Sequence, residues 1–181
     1  QMVRGLGGSE QAARRVLAAG ARLVVLDGAA EVLSATLDEL GRRWRYRIGP
    51  ANADVAGPAM RELVATVGTA ALRPLAPVHP RGRRVPDGVL LRWIRRTRVD
   101  GDSWEAAEVP LGEEIERYRV TIYRAGLAKR VIERAVPDLL YPSASEVEDF
   151  GTAQPGLDIG LDQISLVAGA GQPWGGHVTI R

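Results

Sequence analysis

Cysteine is absent from the 181 residues. That excludes a disulfide framework, thiolate metal sites and a cysteine nucleophile. Histidine occurs only as His79 and His177, which leaves little for imidazole-rich metal centres or His-based catalysis. A lopsided charge is missing too. Lys+Arg is 24 against Asp+Glu 22, a formal net charge of +2, which argues against a dedicated polyanion binder. Long apolar runs are also lacking. Ala21–Leu26, already broken by Arg22, falls far short of the roughly 20 residues of a membrane span. Gln1-Met2-Val3-Arg4 lacks the apolar core of a secretory signal, and a chain opening on Gln is expected to be a piece of a longer polypeptide. No repeat of about 20–50 residues is visible, which excludes solenoids and propellers. None of these features calls for a cofactor or a metal.

What is present describes a globular chain, 45% hydrophobic and 25% charged. Lys129 is the only lysine, so the basic side chains are almost all arginine. The clearest boundary is Arg73-Pro74-Leu75-Ala76-Pro77-Val78-His79-Pro80-Arg81-Gly82. Prolines at every third position exclude a helix or a central strand, and predict an extended linker or an edge strand entering a new domain. Two domains are therefore expected, residues 1–75 and 76–181.

The first is expected to be small, mixed and β-rich, with one short helix. Ser9 as N-cap, Glu10 in the first turn and Gly20 as a stop predict a helix over Glu10–Ala19. Ala21–Leu26 reads as a strand closed by Asp27-Gly28. In Arg43–Ile48, Trp44, Tyr46 and Ile48 alternate with arginines, the pattern of a strand with one buried and one solvated face. Glu62–Val67 is a further strand, unless Met60–Val67 is helical.

The second region reads more strongly as β. Val89, Leu91 and Trp93 alternate with Leu90, Arg92 and Ile94, and Tyr118, Val120 and Ile122 with Arg119, Thr121 and Tyr123. Ile164–Val167 and His177–Ile180 are expected as two late strands around the turn-rich Ala168–Gly176. Ser143, followed three residues later by Glu146, predicts a capping box opening a short helical turn over Ser143–Phe150. Several short strands with Gly/Pro turns between them suggest a β-sandwich. Trp93, Trp104, Tyr118 and Ile122 are expected in its core, with Arg92, Arg95 and Arg119 exposed.

Each pattern with chemical promise has a plainer structural reading. Arg4-Gly5-Leu6-Gly7-Gly8-Ser9 resembles a phosphate loop, yet no hydrophobic strand precedes it and no Walker lysine follows, so it reads as a turn before a capped helix. Asp100-Gly101-Asp102-Ser103-Trp104-Glu105 starts like a calcium loop without its later ligands, and reads better as an Asp-Gly hairpin turn. Glu113, Glu114 and Glu116 are the candidate carboxylate pair of a glycoside hydrolase, or a solvated acidic run. Arg81, Arg83, Arg84, Arg92, Arg95, Arg96 and Arg98, with Trp93 among them, form the one basic cluster. It reads as salt-bridged strand faces or a protein interface ahead of a nucleic-acid surface, since Asp100, Asp102, Glu105 and Glu108 follow directly. Arg92 and Arg95 are the candidate contacts there. Trp174, set among glycines, is the candidate sugar platform. No catalytic, cofactor or metal ligand is assigned.

A series of motifs in fixed order carries a family resemblance. Trp93-Ile94-Arg95-Arg96-Thr97-Arg98 is followed by Asp100-Gly101-Asp102-Ser103-Trp104, Glu108-Val109-Pro110-Leu111-Gly112-Glu113-Glu114 and Glu116-Arg117-Tyr118-Arg119-Val120-Thr121-Ile122. Tyr141-Pro142-Ser143-Ala144, Asp149-Phe150-Gly151 and Asp162-Gln163-Ile164-Ser165 come after. Together they resemble the C-terminal part of the large baseplate hub (megatron, or host-specificity tail-tip) protein of gene transfer agents and related siphophages. Val3–Glu10 and Tyr46–Pro50 resemble the preceding part of that family. The segment from Pro77 onward also resembles a fibronectin type III sandwich. The resemblance implies a mainly β chain and a non-enzymatic structural role in a phage-like tail tip. It implies other tail or baseplate proteins as partners, a homotrimer, and contact with a tail fibre or host envelope glycan. It implies assembly in the bacterial cytoplasm and a place in the particle's tail, with no nucleic acid and no membrane span. A carbohydrate-binding module for a cell-surface glycan is the alternative expectation.

Overall fold

The computed structural model describes residues 16–21, 33–98 and 108–181. The chain divides into two compact units, Gln1–Ala71 and Leu72–Arg181. In the first, β1 (Arg43–Ile48) pairs antiparallel with β2 (Arg61–Thr66), setting Trp44 opposite Ala65 and Tyr46 opposite Leu63. Both segments are strands, which decides against the helical reading of Met60–Val67. The buried face expected of β1 is not found, because Trp44 is 39% and Ile48 55% exposed. A two-stranded ribbon has no second layer of its own to cover such a face. The glycine-rich segment 4–9 and the turn Asp27-Gly28 lie outside the described residues, as does the strand over 21–26 beyond Ala21. Of the helix expected over Glu10–Ala19 only residues 16–19 are described, and they carry no helical turn.

The second unit is built from β3 (Val78–Val85), β4 (Gly88–Ile94), β5 (Tyr118–Arg124), β6 (Leu127–Arg134), β7 (Asp138–Pro142), α1 (Ser143–Phe150), β8 (Gly156–Ser165), the two-residue β9 (Gly169–Ala170) and β10 (Trp174–Thr179). One sheet has the order β3-β4-β7. The other has the order β10-β8-β5-β6, with β9 paired to the end of β8, and every named pair is antiparallel. Consecutive β4 and β5 lie in different sheets, and β7 returns to β4. This is the arrangement of a fibronectin type III-like sandwich.

Period-two alternation places the core. Val89, Leu91 and Trp93 of β4 and Leu139 and Tyr141 of β7 meet Tyr118, Val120 and Ile122 of β5, Leu157, Ile159 and Leu161 of β8, and Val178 of β10. Trp93 and Tyr118 meet edge to face, with centroids 5.3 Å apart and planes at 75°. Trp93, Tyr118 and Ile122 are thus buried as expected, while Trp104 lies outside the described residues.

The proline-rich boundary runs into β3 as an edge strand, one of the two readings expected of it, kinked where the register shifts between Val78 and Arg81. The later strand boundaries depart from expectation. The late strands are longer and earlier than expected. β8 begins at Gly156 and ends at Ser165, so Leu166 and Val167 lie beyond it, and β10 begins at Trp174 inside the segment read as turn. β6 and β7 carry no clear sequence signal. β6 is an edge strand in which Ile132 alone packs partly on the core, so its pattern looks solvated. The two residues between β5 and β6, Ala125 and Gly126, both have positive φ, 51° and 78°. That is the geometry of a hairpin turn for which Asn-Gly is the usual sequence cue.

Gly88 is sterically required, and Gly82 sits at a tight approach. Gly88 has φ 147°, and a Cβ there would run into the Tyr141 carbonyl oxygen. Gly82 lets the chain end approach β3: a Cβ would stand 3.3 Å from both Ile180 Cγ1 and Val178 Cγ1. Gly82 bridges Ile180 in parallel at this point.

Trp93→Ala should cost about 3–5 kcal/mol through the cavity and the lost ring pair. Ala125→Asn should add roughly 0.5–1 kcal/mol, because Asn tolerates the left-handed region better than Ala. Urea unfolding of each variant measures both.

Candidate functional site

The charged groups of the second unit fall into two classes, those tied to a partner and those left free. Helix α1 carries the strongest ties. Arg84 of β3 grips Glu146 with two hydrogen bonds, Nη1 to Oε2 at 2.6 Å and Nη2 to Oε1 at 3.1 Å. Glu146 is 1% exposed and also accepts from the Gln154 backbone N–H at 2.8 Å. Arg130 of β6 grips Asp149 in the same way, at 2.7 and 3.0 Å, and the Tyr141 hydroxyl donates to Asp149 at 2.6 Å. One short helix is thereby pinned to a strand of each sheet. The capping box expected from Ser143 and Glu146 is not formed. Pro142 is the N-cap, whose ring has no acceptor to offer, and the Glu146 carboxylate is turned to Arg84. Gly151, with φ 84°, closes the helix by donating to the Val147 carbonyl.

The acidic run is structural as well. Arg98 binds both oxygens of Glu113, at 3.1 and 3.2 Å, and Glu113 is buried where a solvated residue was expected. Glu114 accepts from Ser165 Oγ and the Leu166 N–H. Glu116 takes Arg95 Nη1 at 3.1 Å and the Tyr118 hydroxyl at 2.8 Å. Each carboxylate therefore serves a different partner, and the three do not form an acid–base pair. Arg95, expected exposed, has only 19% of its side chain accessible and also donates to the Val109 carbonyl. Its guanidinium is held from within by the loop before β5. Arg119 is half-buried, 3.9 Å from both Glu133 and Asp162.

Arg92 is exposed as expected and belongs to the other class. It stands opposite Arg81 in the β3–β4 register, while Arg83 stands opposite Leu90. These residues share the outer face of the three-stranded sheet, since Val89, Leu91 and Trp93 point inward. The chain end brings in a fourth guanidinium. Arg84 N–H donates to the Arg181 carbonyl at 2.8 Å, and Arg181 N–H donates to the Gly82 carbonyl at 3.2 Å. Arg81, Arg83, Arg92 and Arg181, with Pro80, Leu90 and His177, line an open groove of about 750 Å³. Among the described residues these four arginines have no carboxylate partner. Asp138 is opposite Arg92 across β4 and β7, but it pairs with Arg134 at 3.7 Å. Arg181 carried no sequence cue, because only the folded chain end sets it beside β3.

Trp174 does not stand free among its glycines. It is half-buried against the core, and its ring lies over Gly176, close enough that a Cβ there would be 3.1 Å from it. Trp93, expected beside the basic cluster, points into the core and offers no stacking surface there. His79 is exposed at the β3 kink with φ 52°, and His177 Nδ1 is 2.8 Å from Asp158 Oδ1. The Asp100–Glu105 segment lies outside the described residues. No group of three or more His, Asp or Glu side chains among the described residues is placed to hold a metal ion.

No protein-family model and no curated protein matches the chain. Among solved structures, one described as "Structure of FN3tt mut" is similar at 13% identity and a TM-score of 0.38, over 60% of this chain and 99% of that one. The rat CD45 extracellular region, domains d3-d4, is similar at 9% identity and a TM-score of 0.39, over 91% of this chain and 78% of that one. The fold assignment rests on the strand order itself.

The two clamps on α1 have a pH signature. Burial pushes the Glu146 carboxyl up, but the Arg84 hydrogen bonds, the Gln154 N–H and the Arg84 charge outweigh it and hold it below the ordinary value. Arg130 lowers Asp149, against burial and with help from Tyr141. Both carboxyls are depressed in the fold, so their stabilisation is complete above the ordinary carboxylate pKa of about 4 and is lost as pH falls through the native values. The urea midpoint should be flat from about pH 7 to pH 5 and fall towards about pH 2, with a shallower fall in Glu146→Gln. At neutral pH Glu146→Gln should cost about 2 kcal/mol, at the low end for a broken buried pair because the Arg84 side chain is 37% exposed.

Proposed function

We propose that this chain is a non-enzymatic structural component of a phage-like tail tip or baseplate. Its two units act as peripheral docking or spacer domains in tail assembly and host-surface attachment. The ordered motifs are the basis of the reading, and one observation carries it: their charged residues are engaged with one another. Arg98 of the first motif holds Glu113, Arg95 holds Glu116, and Tyr141 bonds Asp149. The segments that resemble a hub protein thus form ties within a sandwich rather than a reacting centre. Such a unit is a rigid spacer, and its outward arginines and open strand edges offer docking contacts.

The partners in this reading are other tail and baseplate proteins, with the longer chain assembled as a homotrimer. The place of action is the tail of a particle built in the bacterial cytoplasm. Trp174, packed against the core, lends no weight to a sugar platform at that residue. Purified particles from the producing bacterium should contain this polypeptide in the tail fraction, as read by mass spectrometry. Deleting its gene should leave tails incomplete or unable to attach. Particles that lack the polypeptide, with unchanged tails and attachment, would overturn the proposal.

A further inference from the structure

Many guanidinium groups of the sandwich are tied to carboxylates or carbonyl oxygens; of those without such a tie among the described residues, Arg73 and Arg117 stand apart and four come together in one place. Arg81, Arg83, Arg92 and Arg181 come from β3, β4 and the chain end, line one groove, and have no carboxylate partner among the described residues. Strand geometry fixes their spacing. Arg81 and Arg83 are two residues apart, about 7 Å, and Arg81 and Arg92 are directly opposed, about 5 Å apart at Cβ. That is a line of positive charge, suited to successive anions on a polymer rather than to one small ion. Guanidinium groups match carboxylates in shape as well as in charge.

We propose that this groove binds an acidic polysaccharide carrying carboxylates on successive sugars. Three observations favour that occupant over other polyanions. Among the described residues no Phe, Tyr or Trp lines the groove, and its single ring is the His177 imidazole, which is engaged with Asp158 at 2.8 Å, whereas single-stranded nucleic acid is held chiefly by stacking on successive aromatic rings. The β3 edge from Gly82 to Arg84 is already bonded to Arg181, so an acidic peptide cannot add there as a strand. Pro80 and Leu90 form small apolar steps between the charges, against which the C–H faces of sugar rings pack. The proposal goes beyond the tail-tip reading and does not depend on it.

Isothermal titration of the full chain with polygalacturonate tests it. Binding is expected at about 50 mM salt and should weaken as salt rises. Neutral dextran should not bind, and polyglutamate and single-stranded DNA should bind more weakly. Arg83→Ala/Arg92→Ala should lose about tenfold in affinity, equal to about 1.4 kcal/mol. Arg81→Ala/Arg181→Ala, drawn from other positions along the groove, should lose as much. Arg73→Ala/Arg117→Ala removes the same net charge from outside the groove and should leave affinity within about twofold. Circular dichroism and unfolding midpoints identify the pairs that fold like the parent chain. No binding to polygalacturonate, tighter binding to DNA or polyglutamate, an equal loss in the control pair, or unchanged affinity in a folded groove pair would each overturn the proposal. Particle co-purification, the test of the tail-tip reading, is independent of all these outcomes.

Discussion

The pleat of β4 is the constraint from which the rest follows. Side chains alternate along a strand, so burying Val89, Leu91 and Trp93 forces Leu90, Arg92 and Ile94 outward. A slip of one residue would set Arg92 against Tyr118 and Ile122, a desolvation the core could not offset. The inward set meets β5, β8 and β10, and includes the edge-to-face pair of Trp93 with Tyr118. The outward set, opposed by Arg81 and Arg83, makes the arginine-lined face. Core and surface are thus two results of one register.

The ion pairs answer a different physical problem. A sandwich of two sheets is open at its ends, and the link from β7 to β8 must cross from one sheet to the other. Here that link is α1, an eight-residue helix with little apolar face of its own. Bidentate guanidinium–carboxylate pairs hold it to a strand of each sheet, Arg84 on one side and Arg130 on the other. The segment before β5 is anchored by a bidentate pair of Arg98 with Glu113 and by Arg95, which donates once to Glu116 and once to the Val109 carbonyl. Carboxylates and arginines used in this way are structural. The four arginines of the groove differ from them in having no carboxylate partner among the described residues.

Legibility tracked the local strength of the pattern. Trp93, Tyr118 and Ile122 were readable as core because alternation over a full strand is a local signal that burial on one face produces. β6 was not, since an edge strand touching the core chiefly through Ile132 looks like any solvated segment, and Ala125-Gly126 lacks the usual turn residues. Glu146 was misread because its spacing from Ser143 fits a cap, while its true partner, Arg84, is distant in sequence. Glu113 was misread as solvated for the same reason, its partner Arg98 lying across a loop. Arg81, Arg83 and Arg92 were legible as part of a basic cluster, but not their separation from the tied Arg84, Arg95 and Arg98 or the approach of Arg181, because these depend on partners distant in sequence.

From its own order of residues the chain determined the mainly β class, the edge-strand entry at the proline-rich segment, and the inward faces of β4 and β5. These depend on neighbours two residues apart and on backbone limits at proline and glycine. Only the tertiary structure decided which arginines are tied and which are free. That choice rests on pairs far apart in sequence, Arg84 with Glu146 and Arg130 with Asp149, and on the close approach at Gly82 that sets Arg181 beside Arg83. Long-range pairing is settled by the packing of sheets, and no local pattern encodes it.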